Sequence, residues 1–418
     1  MINIIIGQDG GFVEDEALNF PFNPGDIKYS KKYKKNIYDF VGFIINDKNM
    51  LAVFPKHYND DCIISTEEEK KENVSLLFKV IKKYITEEYN NQNGDKYFGY
   101  ENNYESDYPF SSFFKVYNYY KKYGIYKEEN MILEKNTNGN ISWKDTIQKS
   151  NAIVNNNGII FLPIYSKRKN NNDNFISQCM EFVINYTIKS FPFFIDFPMI
   201  KNSTEKTDFL LNREYTLRKL YSYKSHIFKD AQKELIDSLI SFFEQYDKKK
   251  RAGNIHIKLN YFELIWEKMV NKYLNDCFEK VDDETKIIEF SSERNIDKKS
   301  FSHKQLNVDK SEHNFSINPD HYLTEDDKIY VFDSKYYNEI NDMNYKQFTY
   351  NVLIGNNKMS KEKILYSALL LPGLKENSFH LNLVDEFGQD NDSCNFIIEQ
   401  YLPVKTIMKN YLNLDLKQ

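Results

Sequence analysis

Two aspartates and a lysine form the sequence feature that is best suited to chemistry. They are Asp320 and, further along, Asp333 with Lys335 two residues after it. Side chains alternate along a strand, so Asp333 and Lys335 would share one face while Ser334 points away. A turn at 324–328 would fold Asp320 back beside Asp333. The sequence therefore predicts two converging carboxylates with an ammonium group alongside.

Two converging carboxylates make a hard, oxygen-rich site that suits Mg²⁺. Phosphodiester hydrolysis needs such a metal, because it neutralises charge in the transition state and lowers the pKa of the attacking water. Lys335 would orient or deprotonate that water and add positive charge beside the phosphate. The alternative is that Asp320 caps a turn, while Asp333 and Lys335 form a solvated strand face.

Two helices are expected to flank this pattern. A helix at 261–278 carries Glu263 and Glu267 one turn apart beside its apolar stripe, where either could reach over a sheet. A helix at 344–353 places Gln347 and Tyr350 on one face, three residues apart. For the two glutamates the alternative is an ordinary exposed helix edge. For Gln347 and Tyr350 it is helix packing, which we favour.

The remaining periodicity predicts an α/β fold, α+β overall. Strands at 40–45 and 50–54 would form a hairpin, and a second hairpin is expected at 136–143. Asn-rich loops are expected at 155–157 and 170–174. Further helices are predicted at 74–89, 110–123, 177–189, 230–245 and 404–411, and further strands at 159–164, 286–290, 330–332, 364–371 and 379–384.

A charged run at 248–251, followed by Ala-Gly-Asn, predicts the hinge between domains. We expect a β-rich amino-terminal domain at 1–170, a helical linker region at 171–253 and a third domain at 254–418. The first would dock a partner or read DNA.

Composition and short motifs exclude several classes of protein. The chain has 418 residues and a net charge of −5, which argues against a protein that coats DNA by bulk positive charge. Four scattered cysteines without a CxxC argue against a disulfide framework or a structural zinc site. A signal peptide and a membrane-spanning run are not seen, so a cytoplasmic protein is expected. The P-loop pattern is also absent, which predicts that this chain binds no nucleotide.

Several motifs occur in the order found in a known family. They are Phe40-Val41-Gly42-Phe43, Val53-Phe54-Pro55-Lys56, Gly139-Asn140-Ile141-Ser142-Trp143 with Thr146-Ile147, Trp266-Glu267, Pro319-Asp320 and Asp333-Ser334-Lys335. This series resembles the McrC-like nuclease subunits of LlaJI-type restriction systems. The last two motifs resemble the catalytic pattern of the PD-(D/E)xK nucleases.

The resemblance implies a bacterial restriction endonuclease subunit whose carboxy-terminal nuclease core is a mixed sheet flanked by helices. Asp320, Asp333 and Glu267 would bind Mg²⁺, for which Mn²⁺ could substitute, and Lys335 would activate water. The resemblance favours Glu267 over Glu263, which stays an alternative. The other functions considered are a RecB-like exonuclease acting on DNA ends and a non-catalytic adaptor that links a motor to DNA.

The partners that the resemblance implies are double-stranded DNA, an McrB-like AAA+ GTPase and a second copy of the chain for double-strand cleavage. The aromatic-rich region 98–147 would suit a contact with the motor, although it could equally be the core of a small domain. Lysine-rich runs at 28–35 and 248–251 could contact phosphates, although such runs are more often solvated faces or linkers.

Overall fold

The computed structural model groups the chain into two compact units. One unit joins Met1–Tyr108 to Lys248–Gln418, and the other is the continuous segment Pro109–Asp247. Within these units the structure describes residues 3–46, 49–58, 66–91, 104–106, 108–136, 140–155, 158–172, 175–191, 197–200, 209–246, 255–308, 315–325, 327–338, 340, 342–356, 363–384 and 395–416.

The first unit begins with a sheet and a long helix. Its elements are β1 (Asn3–Gln8), β2 (Ile27–Ser30), β3 (Lys35–Tyr38), β4 (Val41–Ile45), β5 (Asn49–Phe54), α1 (Glu67–Asn91) and β6 (Tyr104–Ser106). The predicted β4–β5 hairpin forms, and the side-chain oxygen of Asn46 accepts a hydrogen bond from the Asn49 backbone N–H at 2.7 Å. Asparagine suits this position because its side chain can bond to the backbone of its own turn.

The second unit combines helices with small sheets. Its elements are α2 (Phe110–Tyr123), β7 (Glu128–Lys135), β8 (Asn140–Ile141), α3 (Trp143–Lys149), β9 (Asn151–Asn155), β10 (Gly158–Leu162), β11 (Tyr165–Asn172), α4 (Phe175–Ser190), α5 (Arg213–Lys224) and α6 (Asp230–Gln245). Helices α2, α4 and α6 pack together around buried aromatic side chains such as Phe113 and Phe242.

Two local predictions in this unit are wrong. The residues 170–172 were expected in a loop but extend β11, because that strand pairs along its full length with β7. The expected hairpin at 136–143 is replaced by the short strand β8 and by α3, which begins at Trp143. Cross-strand pairing in the first case outweighs the low strand propensity of asparagine.

The first unit continues after the second with the elements that carry the candidate site. They are β12 (Ile255–Leu259), α7 (Glu263–Cys277), β13 (Phe278–Val281), β14 (Ile288–Phe290), β15 (Leu306–Asn307), β16 (Ser316–Ile317), β17 (His321–Thr324), β18 (Lys328–Ser334), α8 (Tyr345–Gly355), β19 (Ile364–Gly373), β20 (Asn377–Asn382), β21 (Phe396–Pro403) and α9 (Val404–Tyr411).

Two five-stranded sheets are the largest sheets in the described part of this unit. In the described residues the first has the order β1-β5-β4-β12-β6, and the second has the order β17-β18-β19-β21-β20. The second sheet is mixed, since β18, β19 and β21 run parallel while β17 and β20 are antiparallel to their neighbours. Helices α7 and α8 pack against β18. This mixture of sheets and helices confirms the α/β fold class.

The two sides of β18 face different neighbours. Ile329 and Val331 pack with Tyr350 and Ile354 of α8, whereas Phe332 packs with the ring of Phe301 at 5.5 Å. Alternation along the strand therefore directs the next odd-numbered residue, Asp333, toward the side covered by α8.

The observed units differ from the three predicted domains at 1–170, 171–253 and 254–418. The cause is β12, which inserts between β4 and β6 and so ties the carboxy-terminal segment to the amino-terminal sheet. The helices of the expected linker region, α4 to α6, belong with α2 in the second unit. The predicted hinge at 248–254 lies outside the described residues. Within the described ranges, no helix is both long enough and apolar enough to cross a membrane.

Candidate active site

The hairpin of β17 and β18 brings the two predicted aspartates together. His321 of β17 pairs with Phe332 of β18, which sets Asp320 beside Asp333 at the open end of the hairpin. The backbone N–H of Ser334 donates to Asp320 Oδ2 at 3.0 Å and fixes that carboxyl group. Asp333 is completely buried, so its negative charge needs partners within the protein.

Lys335 provides the first of those partners. Its ammonium group forms an ion pair with Asp333 Oδ2, and only 16% of its side chain is exposed. Its backbone N–H donates to the carbonyl of Leu370 in β19 at 2.9 Å, so the lysine is held in the line of the sheet. The structure therefore places Asp320, Asp333 and Lys335 in one cluster.

Ser334, between the two charged residues, faces a buried histidine. His321 Nε2 lies 2.7 Å from Ser334 Oγ, and Asn271 Nδ2 lies 3.1 Å from His321 Nδ1. Burial lowers the pKa of His321 to about 3, so its imidazole is neutral. The histidine therefore adds no charge to the cluster and serves to hold Ser334.

Of the two glutamates on α7, Glu267 is the one that interacts with the aspartates. Burial raises the pKa of Glu267, and the negative charge of Asp333 raises it further. Glu263, one turn earlier, instead acts on the pKa of Asp9 in the amino-terminal sheet. The indole N–H of Trp266 donates to the Leu370 carbonyl at 3.3 Å and seats this part of α7 on the sheet.

A second lysine, which the sequence pattern did not single out, also belongs to the cluster. Lys346 Nζ donates to Asp333 Oδ1 at 2.9 Å and lies 3.6 Å from Asp320 Oδ1. Lys346 sits in the first turn of α8, the helix that covers the odd-numbered side of β18. Side-chain alternation along β18, combined with the position of α8, could have identified Lys346. The position of α8, however, is known only once the fold is known.

Of the two residues proposed on the same helix face, Gln347 lies away from the cluster, whereas the centre of the Tyr350 ring lies 5.4 Å from Lys346 Nζ. Gln347 is fully buried, and its side-chain amide donates to the Val331 carbonyl and to Ser367 Oγ, each at 2.8 Å. The Tyr350 hydroxyl donates to the Asn318 carbonyl at 3.0 Å. Gln347 therefore fastens α8 to the sheet, as the packing alternative stated, whereas Tyr350 ties α8 to the segment before β17 and also contacts Lys346.

Crowding of acids controls the charge of the site. Burial, together with the negative charges of Asp333 and Glu267, raises the pKa of Asp320 to about 8. Burial would raise the pKa of Asp333 as well, but Lys335 and Lys346 outweigh it and lower that pKa. The metal-free site therefore keeps a proton on Asp320 and an ionised Asp333 between two ammonium groups.

The donor set fits a hard divalent cation such as Mg²⁺. Asp320, Asp333 and Glu267 offer carboxylate oxygens, the ligand class that Mg²⁺ prefers. Their mutual repulsion, visible in the raised pKa values of Asp320 and Glu267, is the kind that a bound cation relieves. In the described part of the chain, however, no three His, Cys, Asp or Glu side chains are arranged so that together they could hold a metal ion.

Two clefts reach the carboxylates. One, of about 730 Å³, runs from Asp320, Lys335 and Lys346 to Lys28 of β2 and Asp9, the residue after β1. The other, of about 660 Å³, has several basic side chains along it, Lys83, Lys268, Lys272 and His303. Asp320 and Glu267 line both clefts. A long charged substrate could therefore approach the carboxylates from two sides.

The residue after Lys335 connects the site to the amino-terminal sheet. The Tyr336 hydroxyl accepts a hydrogen bond from the Lys56 backbone N–H at 2.9 Å, and Lys56 Nζ donates to the Tyr336 carbonyl at 3.2 Å. The same hydroxyl is hydrogen-bonded to Asp9, which lowers the pKa of Asp9 against the larger effect of burial. The Pro55-Lys56 turn therefore contacts the residue that follows Lys335 in the candidate site.

Comparison with known proteins adds a structural and a family match. The chain resembles a solved structure described as a refined half-complex from the tetradecameric assembly of Thermococcus gammatolerans McrB AAA+ hexamers with bound McrC. The identity is 11%, over 98% of this chain and 99% of the matched chain, with a TM-score of 0.38, too low to carry an argument. No curated protein matches the chain significantly.

The family model that matches is that of the LlaJI restriction endonuclease, over residues 40–388. The match begins just before β4 and extends beyond β20, so it includes the aspartates, both lysines and Glu267. The chain is therefore a member of the LlaJI restriction endonuclease family.

Proposed function

We propose that this chain is the Mg²⁺-dependent endonuclease subunit of a bacterial restriction system, and that it hydrolyses phosphodiester bonds of double-stranded DNA. The observation that carries the proposal is the meeting of Asp320, Asp333, Glu267 and Lys335 at the end of β18. Family membership supports the reaction class. The cytoplasm, where the cellular DNA lies, is the proposed location.

Each residue has a chemical task in this proposal. Asp320, Asp333 and Glu267 would hold the cation, which supplies charge neutralisation at the phosphate and a lower pKa for the attacking water. Lys335, fixed by Asp333 and by the sheet, would orient that water and add positive charge beside the scissile phosphate. Mn²⁺ prefers the same ligands and is proposed to substitute.

The DNA is proposed to follow the larger cleft. Lys28 lines that cleft and begins the β2–β3 hairpin, where Lys31, Lys32, Lys34 and Lys35 are exposed. Exposed aromatic rings lie among these lysines, with Lys35 Nζ 5.0 Å from the ring centre of Phe12. Lysines interleaved with aromatic rings suit phosphates and bases, so the hairpin supports a DNA approach on an otherwise acidic protein.

The motor is proposed to be a separate McrB-like AAA+ GTPase. The full sequence contains no P-loop motif, so an NTP-driven step needs another chain. The second unit exposes a group of apolar side chains on α3 and the β9–β10 hairpin that suits a protein contact, Trp143, Ile147, Ile153, Val154, Ile159 and Ile160. The proposed docking surface therefore lies partly within the expected region 98–147.

The test uses substitutions at the carboxylate cluster. In the presence of the motor subunit, GTP and Mg²⁺, Asp333→Asn or Lys335→Ala should lower the rate of DNA cleavage by roughly 100-fold or more. The change Glu263→Gln, in the same cleft but near Asp9, is the matched control and should retain cleavage. A cooperative thermal unfolding transition should show that each of the three variants still folds, and motor binding should be unchanged.

Full cleavage by Asp333→Asn would overturn the site assignment. Covalently closed circular DNA as the substrate separates the endonuclease from the exonuclease alternative, because an exonuclease needs an end. Titration with Mg²⁺ by calorimetry addresses the adaptor alternative, since heat that disappears in Asp320→Asn shows a metal site. A second copy of the chain would supply the cut on the opposite strand, and a rate that rises with the square of enzyme concentration would support this.

A further inference from the structure

The position of Lys346 raises a question about how a cation enters the site. Its ammonium group contacts Asp333 Oδ1 at 2.9 Å and lies 3.6 Å from Asp320 Oδ1, so it stands between the two carboxylates. Lys335 takes the other oxygen of Asp333. Both oxygens of the buried aspartate therefore already face a positive charge.

A metal ion and the Lys346 ammonium need the same space. Mg²⁺ binds carboxylate oxygens at about 2.0–2.1 Å with strict octahedral geometry. A cation shared by Asp320 and Asp333 would then lie within a few ångströms of Nζ, where two positive charges repel strongly in a partly buried site. Bound metal and the Lys346 ammonium group in its observed position therefore compete for Asp333 Oδ1.

Of the two lysines, Lys346 is the one that can move away. Its side chain is 45% exposed, against 16% for Lys335, and it lines the large cleft. The flexible four-carbon stem lets its ammonium group turn out into that cleft without movement of α8. Lys335 has less room to turn away, because its side chain is largely buried.

We propose that Lys346 is a built-in counter-ion, which neutralises the buried Asp333 in the metal-free protein and must be displaced from it before a divalent cation binds. The proposal rests on the proposed function and describes the regulation of that same site. Displacement turns the ammonium group into the cleft along which the DNA is proposed to lie. Metal binding is therefore weakened in the free protein and strengthened when a phosphate offers Lys346 another partner.

The test compares Mg²⁺ affinities by calorimetry on the full chain without DNA. Lys346→Met should bind Mg²⁺ about tenfold more tightly than the wild type, because the competing charge is gone. Lys346→Arg keeps that charge and should keep the weak affinity. Lys268→Met is the matched control, since Lys268 lines the second cleft beside Glu267 and its ammonium lies 4.9 Å from the ring centre of Tyr84. Its affinity should change less than twofold.

Thermal unfolding gives a second readout that does not depend on activity. Without metal, Lys346→Met should melt at a lower temperature than the wild type, since the buried Asp333 loses one of its two counter-ions. Saturating Mg²⁺ should close most of that gap. Short duplex DNA with a non-hydrolysable backbone should tighten Mg²⁺ binding by the wild type more than by Lys346→Met.

The outcomes separate this inference from the proposed function. Equal or weaker Mg²⁺ binding by Lys346→Met, with measurable binding by the wild type, would overturn the inference and leave the metal site standing. An absence of binding by both proteins would overturn the inference and the metal-dependent function together. Tighter binding by Lys268→Met to the same extent would also overturn the inference, because a general charge effect would then explain the result.

Discussion

Asp333 is fully buried, and each of its oxygens meets a lysine, so it depends more than any other acid of the cluster on its neighbours. Strand alternation was enough to predict that Asp333 and Lys335 share a face and that a turn returns Asp320 to them. Lys346 could not be predicted in this way, because its place depends on which side of the sheet α8 covers. The distinction between Glu263 and Glu267 likewise depends on the packing of α7 around Trp266.

Asp9 should make stability depend on pH. Burial raises its pKa from 3.8 to about 6, against the opposing effects of Lys56 and Tyr336. Between these values the folded chain keeps a proton that the unfolded chain has lost, so rising pH favours unfolding and the penalty is complete above about pH 6. Each pKa unit corresponds to about 1.4 kcal/mol. The free energy of unfolding of Asp9→Asn should therefore rise by about 2–3 kcal/mol relative to that of the wild type as the pH increases from 4 to 7.

Urea unfolding at a series of pH values measures this trend. Asp15→Asn removes an exposed acid from the same segment and is the control for loss of one negative charge. A difference between Asp9→Asn and the wild type that does not vary with pH would show that Asp9 ionises equally easily in the folded and unfolded chains.

At the scale of elements, the sheets hold the site through a few close backbone contacts. Helix α7 follows β12 almost directly, and β12 pairs with β4 where Gly42 faces Lys258. Gly42 has a φ of 144°, and a Cβ atom there would come within 2.1 Å of the Ile257 carbonyl oxygen. The close approach of β12 thus explains the glycine in the motif Phe40-Val41-Gly42-Phe43. The sequence alone identified the motif but not this reason for it.

Gly42→Ala should therefore be severely destabilising. The left-handed backbone costs an alanine about 1–2 kcal/mol, and the collision with β12 adds about 1–3 kcal/mol. Gly158→Ala is a closely matched control, because Gly158 has a φ of 146° and no atom lies within 4 Å of the point that a Cβ would occupy. Urea unfolding should show a larger loss of stability for Gly42→Ala than for Gly158→Ala. Equal losses of stability would show that β12 can move aside without cost.

The same scale explains which elements the sequence predicted well. The β4–β5 and β17–β18 hairpins were found because both are local and are closed by polar turns. No part of the strand β11 was predicted, and its asparagine-rich half was assigned to a loop, since its pairing partners in β7 lie thirty or more positions away in the sequence. Local signals identify hairpins, whereas long-range pairing decides the strands between them.

At the scale of the molecule, the second unit is an insertion into the first. The chain leaves the first unit after β6 and returns at β12, and these strands are paired neighbours, with Ser106 opposite Ile257. Composition along the chain suggested a boundary near residue 253, but it could not show that β12 joins the amino-terminal sheet. The last helix, α9, also belongs to the first unit, since Lys83 of α1 donates to the Tyr411 carbonyl at 2.6 Å.

Removal of the insertion should leave the first unit intact. A chain in which a short Gly-Ser linker replaces residues 109–247 should unfold cooperatively and bind Mg²⁺ within about twofold of the full chain, because the entry and exit strands are adjacent. It should lose its response to the motor subunit, since the exposed apolar group on α3 and β9–β10 is gone. Calorimetry and cleavage with and without the motor test both points.

The segment 254–418 alone provides the opposite case. It contains every proposed metal ligand but lacks β4 and β6, so β12 would have two unpaired edges, and the segment should not fold stably. A well-folded, Mg²⁺-binding 254–418 segment would show that the predicted boundary, rather than the observed unit, describes the cooperative structure.

The insertion also sets the order in which the protein can be assembled during synthesis. Strand β4 ends at residue 45 and its neighbour β12 begins at residue 255. At roughly 5–20 residues per second, β4 waits about 10–40 s on the ribosome for that neighbour, while the continuous second unit can fold in the meantime. The exposed edge of β4 is then a target for chaperones or for aggregation. A restriction nuclease made in this order cannot assemble its cutting site until most of its chain has been translated.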